Sequence, residues 1–293
     1  SGIVSSRMTN GKLKMKNLFV VVVLLAWFVT PAMADYNAGI AAYQRGDYAT
    51  AFRELKPLAE RGLKWKPFPE KENAEEWLEA AMAQLFLALM YGIGQGVPQD
   101  SKEELRWLRL AAEKGVPYAQ TLLGTKYHAG EGVQQDYKEA MRWLRPAAET
   151  GEPMAQFNLG ALYYKGEGVP QDYMEAMQWY RLAAEQGFAN AQAVLGVMYA
   201  KGDGVQQDYK EAMLWNRLAA EQGHDEAQRN LGLMYFKGQG VPQDYVQAHM
   251  WLNLAAAQGN KEASGGRDRL AIKMTASQIE EAQRLAREWK PKK

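Results

Sequence analysis

The chain has 293 residues, 47% hydrophobic and 24% charged, and its 35 basic and 34 acidic side chains leave a net charge of +1. That balance excludes bulk charge as a driver of nucleic-acid or membrane-surface binding. The absence of cysteine excludes disulfides, thiolate metal sites, a Cys nucleophile and a lipid-bearing N-terminal Cys, and three histidines leave little scope for imidazole chemistry.

In chain order, Lys12, Lys14 and Lys16 precede an apolar run of twelve residues, 18–29. A spanning helix needs about 20 residues, whereas the apolar region of a secretory signal takes roughly 7–15. Thr30 and Pro31 interrupt the run, and Ala32-Met33-Ala34 offers small residues where a signal peptidase reads. Residues 1–34 are therefore expected to be a signal peptide with extra N-terminal residues, cut before Asp35, with translation starting at Met8 or Met15. An uncleaved membrane anchor is the alternative. Loss of Arg7, Lys12, Lys14 and Lys16, with no acid among those residues, takes the net charge from +1 to −3. The expected location is periplasmic or secreted, without stable membrane insertion after cleavage.

The rest is organised by a 36-residue period. Trp107, Trp143, Trp179, Trp215 and Trp251 keep this step, as do the pairs Gly94/Gly96 through Gly238/Gly240 and Asp100, Asp136, Asp172, Asp208 and Asp244. One unit shows why. Ala155, Leu159, Leu162 and Tyr163 form one stripe of a helix that Pro153 opens and Gly166 closes. Asp172 with Glu175 reads as a capping box for a second helix, on which Ala176, Met177, Tyr180, Ala183 and Ala184 face inward with Trp179 flanking. Gly124, Gly160, Gly196 and Gly232 fall mid-helix, where glycine costs roughly 1 kcal/mol against alanine. Repetition of that cost implies close helix approach. Since one hairpin cannot bury its own apolar face, neighbours must stack.

The ends differ. Residues 35–62 form a shorter, tetratricopeptide-like hairpin without the double-glycine loop. An insert at 63–82 carries Trp65, Pro67, Phe68 and Pro69 and leads into a helix near Ala74. Five repeats span 83–262, and capping helices with a polar tail, including Trp289-Lys290-Pro291-Lys292-Lys293, complete 263–293.

The unit AQFNLGALYYKGEGVPQDYMEAMQWYRLAAEQG resembles a Sel-1-like repeat, strongly over residues 80–262 and weakly over 35–79. The resemblance implies an all-α, right-handed alpha-alpha superhelix, a solenoid of about seven helical hairpins. It also implies a scaffold or adaptor role in assembling protein complexes. A cysteine-rich branch of the family is credited with penicillin binding or β-lactamase activity, which a chain without cysteine does not inherit.

No catalytic constellation, cofactor site or metal site is read from the residues. The Asp column sits where helices must start, so capping explains it, and the Gly-x-Gly-Val loops lack the Gly-Lys-Ser/Thr of a nucleotide loop. His128, His224 and His249 occupy three different repeat positions. The informative column is one that changes. Phe157 and Tyr164 share a face nearly opposite the Ala155/Leu159/Leu162 stripe, and equivalent places hold Thr121 and His128, Ala193 and Ala200, and Arg229 and Phe236. First helices line the concave side of stacked hairpins. Partner binding is therefore expected at His128, Phe157, Tyr164, Arg229 and Phe236, with Trp107, Trp143, Trp179, Trp215, Trp251, Asp136, Asp172, Asp208 and Asp244 as structural residues. The function expected is a non-enzymatic exported scaffold binding protein or peptide on its concave face; an envelope hydrolase or a glycan-binding protein is the alternative.

Overall fold

A computed structural model describes residues 31–64 and 74–292. Fourteen α-helices and no strand are found among them. The chain divides into a unit ending at Asp100 and a unit starting at Ser101. The apolar run at 18–29, the Trp65–Pro69 insert and Lys293 lie outside the described residues.

The first unit holds α1 (Pro31–Gln44), α2 (Tyr48–Arg61), a short 3-10 turn (Gly62–Lys64) and α3 (Ala74–Ile93). Pro31 opens α1, so the backbone at Ala32-Met33-Ala34 is helical. Asp47 caps α2 by accepting from the Thr50 amide at 3.1 Å. The α1–α2 hairpin closes on Gly39, where a Cβ would lie 2.7 Å from Leu55. Tyr43 packs edge-on against Tyr48 and Phe86, with centroids 5.3 and 5.2 Å away. Helix α3 runs unbroken from Ala74, so residues 74–82 are the helix extension expected within 63–82.

The second unit starts with α4 (Ser101–Glu113) and continues through four hairpins: α5–α6 (Pro117–Ala129, Tyr137–Glu149), α7–α8 (Pro153–Lys165, Tyr173–Glu185), α9–α10 (Ala189–Lys201, Tyr209–Glu221) and α11–α12 (Asp225–Lys237, Tyr245–Ala257). It ends with α13 (Lys261–Ala271) and α14 (Ala276–Glu288). Within α7–α8 the expected stripes are the buried ones: Ala155, Leu159 and Leu162 on the first helix, and Ala176, Met177, Tyr180, Ala183 and Ala184 on the second.

The mid-helix glycines set the hairpin spacing. A Cβ on Gly160 would lie 3.0 Å from the Tyr180 ring and 3.2 Å from the Ala176 carbonyl oxygen. Leu144, Asn216 and Leu252 occupy the same place against Gly124, Gly196 and Gly232. The separation is 20 residues in these hairpins and 16 between Gly39 and Leu55, because the first hairpin lacks the longer glycine loop. Loop stacking uses a different glycine. Gly168 has φ 80°, and a Cβ there would lie 2.9–3.0 Å from Tyr137 of the preceding repeat. Glycine is thus required at that position both for its backbone conformation and for the contact.

The aspartates cap as expected. Asp136, Asp172 and Asp208 each accept from two backbone amides, and Asp244 accepts from the Gln247 amide at 2.9 Å. The expected reciprocal half of the capping box is replaced: Glu175 accepts from the Trp179 indole N–H at 3.0 Å instead. At Trp143 the equivalent Glu139 pairs with Arg142, and that indole N–H has no acceptor. A reciprocal box does form at Thr275 and Gln278.

The tryptophan column is less buried than its regularity suggests. Trp107 and Trp251 are buried, whereas Trp143, Trp179 and Trp215 are half-buried. The buried position is the following residue, Leu144, Tyr180 or Asn216, which meets the glycine. Nor is the C-terminal tail free: Trp289 packs against Trp251, and Lys292 pairs with Glu221. Trp251→Ala should therefore cost about 3–5 kcal/mol, as a fully buried tryptophan does, and Trp179→Ala roughly half as much. Denaturant unfolding checks the order; equal losses contradict it.

Two histidines couple stability to pH. His224 caps α11 by accepting from the Ala227 amide at Nδ1, 3.2 Å away, and burial lowers its pKa. His249 is buried, and burial with nearby Arg267 lowers its pKa, Asp268 opposing. Both bind protons less readily in the folded chain, so their contribution is complete above the ordinary value near 6.5 and is lost as pH falls through the lower folded values. Thermal unfolding at pH 7 and pH 5 should show a smaller acid-induced drop in Tm for His224→Asn, which keeps a capping acceptor. An unchanged drop would contradict the assignment.

Candidate interaction surface

The five residues expected to recognise a partner sit on the first helices, and all five are half-buried and engaged. His128 Nε2 lies 2.7 Å from Glu167 Oε2 in the next glycine loop, with its ring 5.5 Å from Tyr137. Tyr164 repeats this one unit later: its hydroxyl donates to Asp203 Oδ2 at 2.9 Å and its ring lies 5.0 Å from Tyr173. Burial, aided by the Asp203 hydrogen bond and charge, pushes the Tyr164 pKa up to about 12. Phe236 stacks on Tyr245 at 5.8 Å, with Lys273 Nζ 5.2 Å from its ring centroid. Phe157 packs between Tyr180 and Phe188, and Arg229 pairs with Glu262. These residues join successive repeats instead of projecting as a free column. Truncating Tyr164 and Phe236 removes packing between repeats, so that pair cannot serve as a stability-neutral probe of binding.

The acceptors were legible as the variable residue inside Gly-x-Gly. That place holds Glu131, Glu167, Asp203 and Gln239, and an acid stands 39 residues after both His128 and Tyr164. Where the first-helix residue is Ala200, Gln239 takes that place.

Two ladders missed in the sequence hold the same helices. Gln120, Gln156, Gln192 and Gln228 are buried, and each donates to the carbonyl eight residues earlier, at Ala112, Ala148, Ala184 and Ala220, at 3.1 Å. Gln186, Gln222 and Gln258 then donate to the side-chain oxygens of Gln156, Gln192 and Gln228 at 2.8, 2.8 and 2.9 Å. Each of these three buried amides thus has partners at both ends, and the chain of bonds links successive repeats. Outside it, Arg109, Arg145, Arg181 and Arg217 donate to the hydroxyls of Tyr127, Tyr163, Tyr199 and Tyr235 at 2.5–2.8 Å. The 36-residue recurrence of Ala-Gln and of these arginines was the available signal.

What remains accessible on the first helices is a neighbouring column: Ala161, Val197 and Leu233, half-buried and one turn from Phe157 and its equivalents. A cavity of about 330 Å³ opens around Leu233, lined also by Arg229, Glu262, Gly266 and Arg269. Its lining joins Leu233 to Lys261 and two arginines, of which Arg229 already pairs with Glu262. Among the described residues no group of three or more His, Asp or Glu side chains is placed to hold a metal ion. No described helix is long and apolar enough to cross a membrane.

Comparison with protein families matches the Sel1 repeat five times, at residues 81–116, 117–151, 153–188, 189–224 and 225–260. Two crystal structures share the architecture. A protective antigen present in uropathogenic Escherichia coli strains, displaying an SLR fold, is 32% identical with a TM-score of 0.73 over 94% of this chain. This chain spans 56% of that protein's length. A Sel1 repeat protein from Oxalobacter formigenes is 30% identical with a TM-score of 0.70, covering 86% of this chain and 96% of the other. The comparison with curated proteins gave no match. Five matched repeats, built here from glycine-closed, aspartate-capped helical hairpins, show that the chain belongs to the Sel1 repeat family.

Proposed function

We propose that the chain is a non-enzymatic, exported scaffold that holds a protein or peptide partner along its first helices. The observation that carries the reading is the contrast between a fixed frame and a changing face. Glycine contacts, glutamine ladder and arginine–tyrosine rungs recur every 36 residues, while the column beside them runs Thr125, Ala161, Val197, Leu233. A frame of this kind presents side chains at fixed intervals without building a chemically distinct pocket. Membership of the Sel1 repeat family agrees with a protein-binding role. Export to the bacterial envelope is part of the proposal and rests on the lysines and apolar run before Ala34.

A photo-crosslinking residue placed at Val197 or Leu233 in the native envelope should capture a polypeptide. Leu233→Asp should weaken that partner at least about tenfold, roughly 1.4 kcal/mol, with helicity unchanged. Failure of both positions to capture a polypeptide overturns the placement, and a bound saccharide favours the glycan-binding alternative. Intact mass of the recovered protein tests export: the expected chain begins at Asp35, and a retained leader in the membrane fraction contradicts it.

A further inference from the structure

The second helices carry an apolar face that, among the described residues, is covered by a further helix at the last repeat. Helix α14 packs along α12, with Ala282 buried and Leu285, Ala286 and Trp289 joining the core around Met250 and Trp251. Trp289 meets Trp251 edge-on at 6.2 Å. Three residues further on, Lys292 anchors the tail: its backbone N–H donates to the Glu221 carbonyl oxygen at 2.7 Å, and its Nζ lies 2.8 Å from Glu221 Oε2. Trp289 and Pro291 approach Gly223, where a Cβ would lie 3.9 Å from each.

The 36-residue period reproduces this receiving surface one repeat earlier, where none of the described residues covers it. Leu214, Trp215 and Leu218 of α10 stand where Met250, Trp251 and Leu254 stand on α12, and Glu185 and Gly187 stand where Glu221 and Gly223 stand. Met250 is 6% exposed under α14, whereas Leu214 is 49% and Leu218 37% exposed. Leu182 and Met174 of α8 extend the surface at 44% and 65%. Apart from Ile272, these four are the exposed large hydrophobics of the second unit among the described residues. Glu185 makes no ion pair among the described residues, so the anchor for a lysine is also open.

We propose that the outer face of α8 and α10 binds an amphipathic helix of a protein partner built like α14. That helix carries an Ala/Leu stripe, a Trp at its C-terminal end and a Lys three residues beyond. The chain's own helix defines what the surface accepts, because the two surfaces share backbone register, a Trp, a Leu, and the Glu and Gly that receive the tail, with Leu214 in place of Met250. One difference refines the partner. Lys210 replaces Val246 near the place reached by Gln278, so the incoming helix should carry an acid where α14 has Gln278. A partner helix fits better than α14 of a second copy. Exchange of α14 between copies would uncover Met250 and Trp251 in return for covering Leu214 and Trp215, whereas a partner's helix adds burial without removing any.

This proposal goes beyond the first-helix reading and concerns different helices, so failure of either leaves the other standing. The probe is a fluorescent peptide of residues 274–293 carrying Gln278→Glu, titrated by anisotropy into the full chain. Saturable binding is expected, weakened at least tenfold by Leu214→Glu and by Glu185→Lys, both exposed positions whose substitution leaves the helical signal intact. The unmodified peptide should bind more weakly than the Gln278→Glu peptide. Absence of binding up to about 1 mM overturns the proposal. So does binding that ignores Leu214→Glu, since the peptide would then be displacing α14 from α12. A wild-type dimer in sedimentation that Leu214→Glu makes monomeric also overturns it and assigns the face to a second copy.

Discussion

Each complete hairpin of the second unit turns on one contact, a glycine in the middle of the first helix pressed against a side chain of the second. Gly124, Gly160, Gly196 and Gly232 meet Leu144, Tyr180, Asn216 and Leu252, and in each case a Cβ would stand at or inside 3.0 Å of that side chain. The two backbones can approach only because the glycine has no side chain, and that approach brings the Ala pairs of the second helix into the buried interior. Once the spacing is fixed, the buried glutamines reach the carbonyls eight residues behind them, and the arginines reach tyrosine hydroxyls 18 residues ahead. The helix-propensity cost of glycine, roughly 1 kcal/mol each, is offset by packing available to no larger residue. Asn216 is a variation on the contact: it is buried, donates to the Ala212 carbonyl at 2.8 Å and accepts from Asn230 at 3.3 Å, so its polarity is satisfied where the neighbours use an apolar side chain or a tyrosine.

Much of this was legible in the sequence, for a definite reason. Residues that serve the backbone, such as Asp172 at a helix start, Gly166 at a helix end and Gly160 at a crossing, act locally, so their type and spacing suffice. What stayed hidden depends on where a side chain points after stacking. The tryptophans recur without fault, yet Trp143, Trp179 and Trp215 lie half outside the core, because the residue after each one meets the glycine. His128 and Tyr164 looked free because their partners, Glu167 and Asp203, lie 39 residues ahead in loops. The tail read as polar, but Trp289 and Lys292 fold back onto Trp251 and Glu221.

The proposed function rests on which columns the frame leaves unused. On the first helices His128 and Tyr164 are spent on joining repeats, whereas Val197 and Leu233 stay partly accessible. On the second helices the half-buried tryptophans and exposed leucines of α8 and α10 continue a surface that α14 covers over α12. A stack of this kind offers two faces whose chemistry changes without disturbing the contact between helices.

The glycine contact is tested most directly by adding one methyl group in two places. A Cβ on Gly232 would stand 2.8 Å from Leu252, 3.0 Å from the Ala248 carbonyl oxygen and 3.2 Å from the Leu252 amide nitrogen, and the backbone neighbours cannot swing aside. A Cβ on Gly265 of α13 would meet only the flexible end of Arg269 at 3.5 Å. Helix propensity favours alanine at both sites by about 1 kcal/mol, whereas overpacking costs about 1–3 kcal/mol at a tight one. Gly232→Ala should therefore lower the thermal midpoint and Gly265→Ala raise it. A rise in both would contradict the claim that this contact sets the spacing of the hairpin.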